Sequence, residues 1–168
     1  MNNKNWKIVF SIYILLVVNF IVIKFNGDLQ HVMNTIQSNM ERRSQGESFA
    51  NLVPFRTIET YISDLSFTVA FMNILGNIIP FIPMGFLLPM AFPSQRNIIK
   101  TMISCFLLIL SVEILQIVLF LGSFDIDDII LNLLSCFIGF ILFQVYRNIF
   151  RKKLSIWTSI RYACPFPL

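Results

Sequence analysis

The sequence predicts an all-α integral membrane protein with four transmembrane helices and both termini in the cytoplasm. Three observations predict it. Of 168 residues, 56% are hydrophobic and only 13% charged, about half the charged fraction of a soluble domain, and the mean hydropathy is +0.73. Four apolar runs follow one another, each long enough to cross a hydrocarbon core of ~30 Å once tilt is allowed. Lys and Arg gather at alternate ends of those runs, as membrane anchors do.

The first run covers residues 8–25, bracketed by Lys4 and Lys7 before it and Lys24 near its end. Its apolar part, Ile8 to Ile23, rises ~24 Å as a helix. Phe25 and a snorkelling Lys24 complete the span. It ends IVIKFNGD, without a small-x-small cleavage site, so it reads as an uncleaved signal anchor. The second run, 65–92, carries Asn73 and Asn77 together with Pro80, Pro83 and Pro89. The third, 98–121, holds a single charge past its first turn, Glu113. The fourth, 126–146, is entered through Asp125, Asp127 and Asp128. No internal repeat divides the chain, which reads as one domain over 1–168.

Orientation follows from the basic residues. With the N-terminus inside, Lys4, Lys7, Arg96, Lys100, Arg147, Arg151, Lys152, Lys153 and Arg161 lie in the cytoplasm, against Lys24, Arg42, Arg43 and Arg56 outside. The positive-inside rule favours that arrangement. It leaves an exterior loop over 26–64, polar through QSNMERRSQGES and then apolar at FANLVPFRTIETYI. Pro54 favours an interfacial helix beginning near Arg56. A basic cytoplasmic tail, 147–168, is too short to span, and its Trp157 and Tyr162 suit a membrane surface.

Several function classes are disfavoured. The net charge of +4 comes from span-end anchors rather than a basic face, so nucleic acid is not an expected partner. Cys105, Cys136 and Cys164 form no CxxC pair and read as plain thiols. DIDD resembles the start of a calcium loop but lacks its glycine and distal glutamate. No HExxH, GxSxG or phosphate-loop motif occurs, and His31 reads as a solvated loop residue. No metal and no cofactor is expected.

Helical spacing gives each later span one polar side. Asn73 and Asn77 are i,i+4; Glu113 and Gln116 are i,i+3; Asp125, Asp128, Asn132, Ser135 and Gly139 share a side of the fourth run. At ~1.5 Å per residue, Asn73 and Asn77 lie roughly 12–18 Å below the outer surface, Gln116 and Glu113 roughly 7–12 Å, and Asn132 roughly 6–9 Å. The three polar sides overlap in the outer half of the bilayer. Two readings compete: interhelical packing, favoured for Asn73, Ser135 and Gly139, and function, favoured for Glu113 and Asp128 because an intramembrane acid is costly. Asp127 points to another face and reads as a solvated helix-start charge. Four carboxylates then face one candidate counter-charge, Arg56, which either swings in, yields to a bound cation, or leaves one carboxyl protonated; Glu113 is the candidate for that last case.

Four blocks carry a resemblance: NLVPFRTI (Asn51 to Ile58), NILGNIIPFIPMGFLLP (Asn73 to Pro89), VEILQ (Val112 to Gln116) and FDIDDIILN (Phe124 to Asn132), followed by Gly139. In this order and spacing the chain resembles the VanZ-like family of small bacterial membrane proteins. Many members have Arg shortly before the FDIDD block and Gly three residues after its Asn; here Gly122 and Ser135 stand there, which gives Arg56 more weight as a counter-charge. The resemblance implies a multi-pass protein of the bacterial cell membrane with a part in tolerance of teicoplanin, a lipid-tailed glycopeptide directed at cell-wall precursors.

The expected partners are membrane lipid and a lipoglycopeptide or cell-wall precursor, and the candidate cluster is Arg56, Asn73, Asn77, Glu113, Gln116, Asp125, Asp128 and Asn132. A non-enzymatic role is favoured. The alternatives are an enzyme using two carboxylates on a lipid headgroup or wall precursor and a small proton-linked transporter built on the proline-broken second span.

Overall fold

The computed structural model describes residues 3–19, 29–63 and 67–163; side chains are described for these except residues 3, 61–62, 67–74 and 151–163. The described residues are mostly helical. In order it forms α1 (Asn3–Val17), α2 (Leu29–Ser44), β1 (Ala50–Asn51), α3 (Arg56–Ser63), α4 (Phe67–Ala91), a short 3-10 turn at Pro93–Gln95, α5 (Ile98–Val118), β2 (Phe124–Asp125) and α6 (Ile126–Ala163).

The expected apolar runs appear as α1, α4, α5 and α6, with differences at their ends. The latter part of the first run falls on residues 20–28, outside those described. Among the described residues, Ile98–Val118 and Ile126–Phe150 are long and apolar enough to cross a membrane, and Leu75–Ala91 is a shorter apolar helix. The fourth helix does not stop near Tyr146. It continues without a break to Ala163, because the stretch that carries its basic residues contains neither Gly nor Pro until Pro165. The loop between the first two runs is not simply a loop. LQHVMNTIQSNMERRS forms α2, where Val32 and Ile36, at i,i+4, pack on Val17, Val112 and Leu121.

α4 and α6 make the largest helix pair, and glycine explains why. A Cβ on Gly139 would collide with the carbonyl oxygen of Ile82, and one on Gly85 with that of Cys136. Only glycine lets these two backbones come so close. Around that contact Phe81, Met84 and Leu88 of α4 meet Cys105 and Ile109 of α5 and Ile129 and Cys136 of α6. α1 lies along α4, where Tyr13 donates its hydroxyl to the Pro80 carbonyl at 2.8 Å. Pro80, Pro83 and Pro89 all sit within α4.

The faces turned away from this core are apolar too. Ile99, Ile103, Leu107 and Val118 of α5 and Leu134, Ile141, Leu142 and Val145 of α6 are exposed. Water would penalise such a surface and lipid does not.

α5 ends in a tight cap. Phe120 takes φ of 55°, Leu121 N–H reaches back to the Gln116 carbonyl at 2.8 Å, and Phe120 N–H to that of Ile117 at 3.2 Å. This closure normally uses glycine at the left-handed position. Here Phe120 is held from α2 instead: Asn39 donates to its carbonyl at 2.8 Å, and the Arg43 guanidinium lies 5.2 Å from its ring centre.

Candidate functional site

Three aspartates begin α6, and each does something different. Asp125 precedes the first helical residue. Its carboxylate accepts the Asp127 N–H at 2.9 Å, the bond of an N-cap residue to the second position of its helix. It also accepts from the Thr57 hydroxyl and from Asn51 Nδ2 at 3.3 Å. Ala50 and Asn51 run parallel to Phe124 and Asp125 as a two-stranded ladder, which brings the chain before α3 alongside the start of α6.

Asp127 is fully buried. It is not the solvated charge that its position on the helix suggested. One of its oxygens accepts the Phe55 N–H, and the other accepts those of Thr57 at 2.8 Å and Ile58 at 3.2 Å. Phe55 immediately precedes α3 and offers no side-chain acceptor, so Asp127 caps α3 from a different helix. Phe55 takes φ of 68°, a conformation that costs a non-glycine residue on the order of 1–3 kcal/mol. It aims its N–H at the carboxylate. Three charge-assisted bonds and the positive end of α3 offset the desolvation of Asp127.

Asp128 turns toward α4 and accepts a short hydrogen bond from Asn77 Nδ2. Asn77 is only partly buried. The side chain of Asn73, one turn earlier, lies outside the described residues.

Below the aspartates, α5 and α6 bury further polar groups. Glu113 is 3% exposed, Gln116 9% and Asn132 2%. Glu113 lies one turn along α5 from Ile109, and Asn132 lies between Ile129 and Cys136 on α6; all three of those neighbours belong to one core cluster. The buried sides of α5 and α6 therefore carry these polar groups toward each other at the aspartate-bearing end of the bundle. Gln116 also packs beneath Gly122. Asn132 Oδ1 has no hydrogen-bond partner among the described residues. Ser135, one turn further, spends its hydroxyl on the Leu131 carbonyl at 2.6 Å, a packing role.

Arg56 does not swing in. It is exposed and has no acidic partner among the described residues, unlike Arg42, which pairs with Glu47 at 2.7 Å. Backbone N–H groups, Asn51 and Thr57 satisfy Asp125 and Asp127 in its place. Of the eight residues, seven have described side chains, and they divide into four groups. Asp125 belongs to the ladder and the start of α6, and Asn77 and Asp128 pair with each other. Glu113, Gln116 and Asn132 are buried on α5 and α6, and Arg56 stands on the surface. Sequence reading missed Asp127, Asn51 and Thr57. Pro54, which cannot donate, followed by Phe55 without a capping side chain, was the available sign that this helix start needed an acceptor from elsewhere. No group of three or more His, Cys, Asp or Glu suited to a metal occurs among the described residues.

No curated protein and no solved structure matches this chain. A family model described as VanZ/LLP1 does, over residues 10–150. That range takes in the glycine-packed α4–α6 pair, the aspartates and the segment they hold, and the chain is a member of the VanZ/LLP1 family.

Proposed function

We propose that this is a four-span protein of the bacterial cell membrane, N-in and C-in, that lowers the effect of teicoplanin-type lipoglycopeptides at the outer leaflet without catalysing a reaction. The observation that carries the reading is the segment from Asn51 to Ile58, fastened by Asp125 and Asp127 over the buried Glu113, Gln116 and Asn132. With the orientation given by Lys and Arg, that fastened segment faces the outside, where a lipid-tailed antibiotic meets its target. The polar groups beneath it then lie within reach of the outer leaflet. Membrane lipid is the constant partner, and the lipoglycopeptide or its cell-wall precursor target is the variable one.

The test is susceptibility. The chain is expressed in a sensitive Gram-positive host, with vancomycin as the control that lacks a lipid tail. The reading predicts a raised inhibitory concentration for teicoplanin alone. Glu113→Gln, Asp128→Asn and Asn132→Ala, compared at matched membrane abundance, should each reduce that gain. Unchanged teicoplanin susceptibility with the wild-type chain would sink the proposal. Cysteine labelling from outside intact cells, at Ser48→Cys against Gln95→Cys, tests the orientation separately: only the former should react.

A further inference from the structure

A pocket of about 430 Å³ opens beside the fastened segment, between the residues before α3, the outward side of α3 and Ser123. Its lining holds Arg56 and no carboxylate. The other polar groups around it are largely committed: Thr57 to Asp125, Thr60 to the Arg56 carbonyl at 2.9 Å, and Ser48 to the Ala50 carbonyl at 3.3 Å. Asp125 lies under the floor with its oxygens taken up by Thr57, Asn51 and the Asp127 N–H. Arg56 is left as the one charged residue of that lining, with the Ser123 hydroxyl beside it.

More positive charge stands at the rim. The Phe49 ring lines the pocket, and the guanidinium carbons of Arg42 and Arg43 lie 5.9 and 5.8 Å from its centre. Arg42 is paired with Glu47, whereas Arg43 and Arg56 have no acidic partner among the described residues. Between α1 and α4 the sequence has four basic residues, Lys24, Arg42, Arg43 and Arg56. Three of them converge on Phe49 and this pocket. Beside it Leu52, Val53 and Phe55 are 64%, 55% and 61% exposed. Three adjacent apolar side chains next to an arginine suit the level where acyl chains give way to headgroups.

We propose that this pocket binds the phosphate of an anionic membrane lipid, Arg56 making the charge-assisted hydrogen bond and Arg43 adding to the field. The shared chemistry is a lipid-linked phosphate, either a glycerophospholipid diester or a polyprenyl pyrophosphate. The volume exceeds a bare phosphate and leaves room for its substituent. The exposed apolar residues favour a phosphate carried on a lipid over one free in solution. This site is independent of the tolerance reading, because it would bind whether or not the chain alters susceptibility.

Native mass spectrometry of the full chain released from mixed micelles tests it. The probes are phosphatidylglycerol, a polyprenyl pyrophosphate and phosphatidylcholine, with inorganic phosphate as competitor. Wild type should retain one of the two anionic lipids over phosphatidylcholine, and the better retained identifies the source. Arg56→Gln should lower that retention about ten- to a hundred-fold, the loss of one charge-assisted bond, and Arg56→Lys should restore part of it. Arg43→Gln should cause a smaller drop, and it carries the test if Arg56→Gln loses its helical circular dichroism. Arg96→Gln, across the bundle, should change nothing. Equal retention of all lipids, undiminished binding by folded Arg56→Gln, or displacement by millimolar inorganic phosphate would each overturn the proposal.

Discussion

Two polar tiers lie about one helical turn apart at the same end of this bundle, and they are built on different terms. In the upper tier every oxygen of Asp125 and Asp127 accepts at least one hydrogen bond, chiefly from backbone N–H groups and the side chains of Asn51 and Thr57. In the lower tier Glu113 and Asn132 are as deeply buried as much of the core and Gln116 lies at its edge, yet Asn132 Oδ1 has no partner among the described residues. A buried acceptor left unmatched costs on the order of 1–3 kcal/mol. A fully matched acid is what a clamp requires. A buried amide oxygen left unmatched in the same helix bundle as a buried glutamate is an arrangement that packing alone does not favour. On the proposed reading, the upper tier is a structural clamp and the lower tier is where function is sought.

The largest effect that can break this contrast belongs to Asp127. Asp127→Ala leaves three N–H groups without their acceptor and frees the strained Phe55, so it should cost about 3–5 kcal/mol and remove most folded protein from the membrane. Asp127→Asn keeps one oxygen and should cost less than half of that. Unfolding in mixed detergent, followed by circular dichroism, reads both. A stable Asp127→Ala would mean that the upper tier is not a clamp.

That residue also shows where the sequence stopped being legible. The apolar runs, the polar sides of α4 to α6 and the helix starting at Arg56 follow from periodicity and proline, which are local. Burial of Glu113, Gln116 and Asn132 likewise follows from spacing on α5 and α6. Asp127 could not be placed that way. Helical spacing puts it off the shared polar side, and its role depends on a chain segment 70 residues earlier folding across the start of α6. The same limit hid α2. Its polar composition reads as loop, and its packing rests on only a few apolar residues, Val32 and Ile36 against α1 and α5. Arg56 misled for a related reason. Counting charges left three ways to balance the acids: Arg56 swinging in, a bound cation or a protonated carboxyl. Asp125 and Asp127 are instead held by hydrogen bonds from backbone N–H groups, Asn51 and Thr57, with Arg56 left at the surface.

The spine beneath both tiers sets the next scale. Gly139→Ala would drive a methyl group into the Ile82 carbonyl, which must move α6 from α4 and should cost about 1–3 kcal/mol. Unlike Asp127→Ala, it should disturb both tiers together, so teicoplanin tolerance and stability should fall in parallel. If tolerance survives while stability falls, the lower tier does not depend on the close α4–α6 contact.

The cap of α5 offers a gentler probe of the same end. Asn39→Ala removes the donor to the Phe120 carbonyl and should cost about 0.5–1.5 kcal/mol. The loss should show as faster hydrogen exchange at Phe120, Leu121 and Gly122 while the α3 cap keeps its protection.

The smallest change in stability, and the most informative one, is expected at Asn132. Truncating a buried side chain removes packing, but here it also removes an acceptor that no described protein group matches. The two contributions oppose one another, so Asn132→Ala should move the unfolding midpoint by less than about 1 kcal/mol. Asn132→Leu restores apolar volume without the unmatched oxygen and should be neutral or stabilising. If the lower tier is functional, both variants should lose the teicoplanin phenotype while remaining abundant and folded. Asp127→Ala should lose it only in proportion to lost protein. Should Asn132→Leu instead retain full tolerance, the amide is packing after all, and function would have to be sought in Glu113 or at the Arg56 pocket.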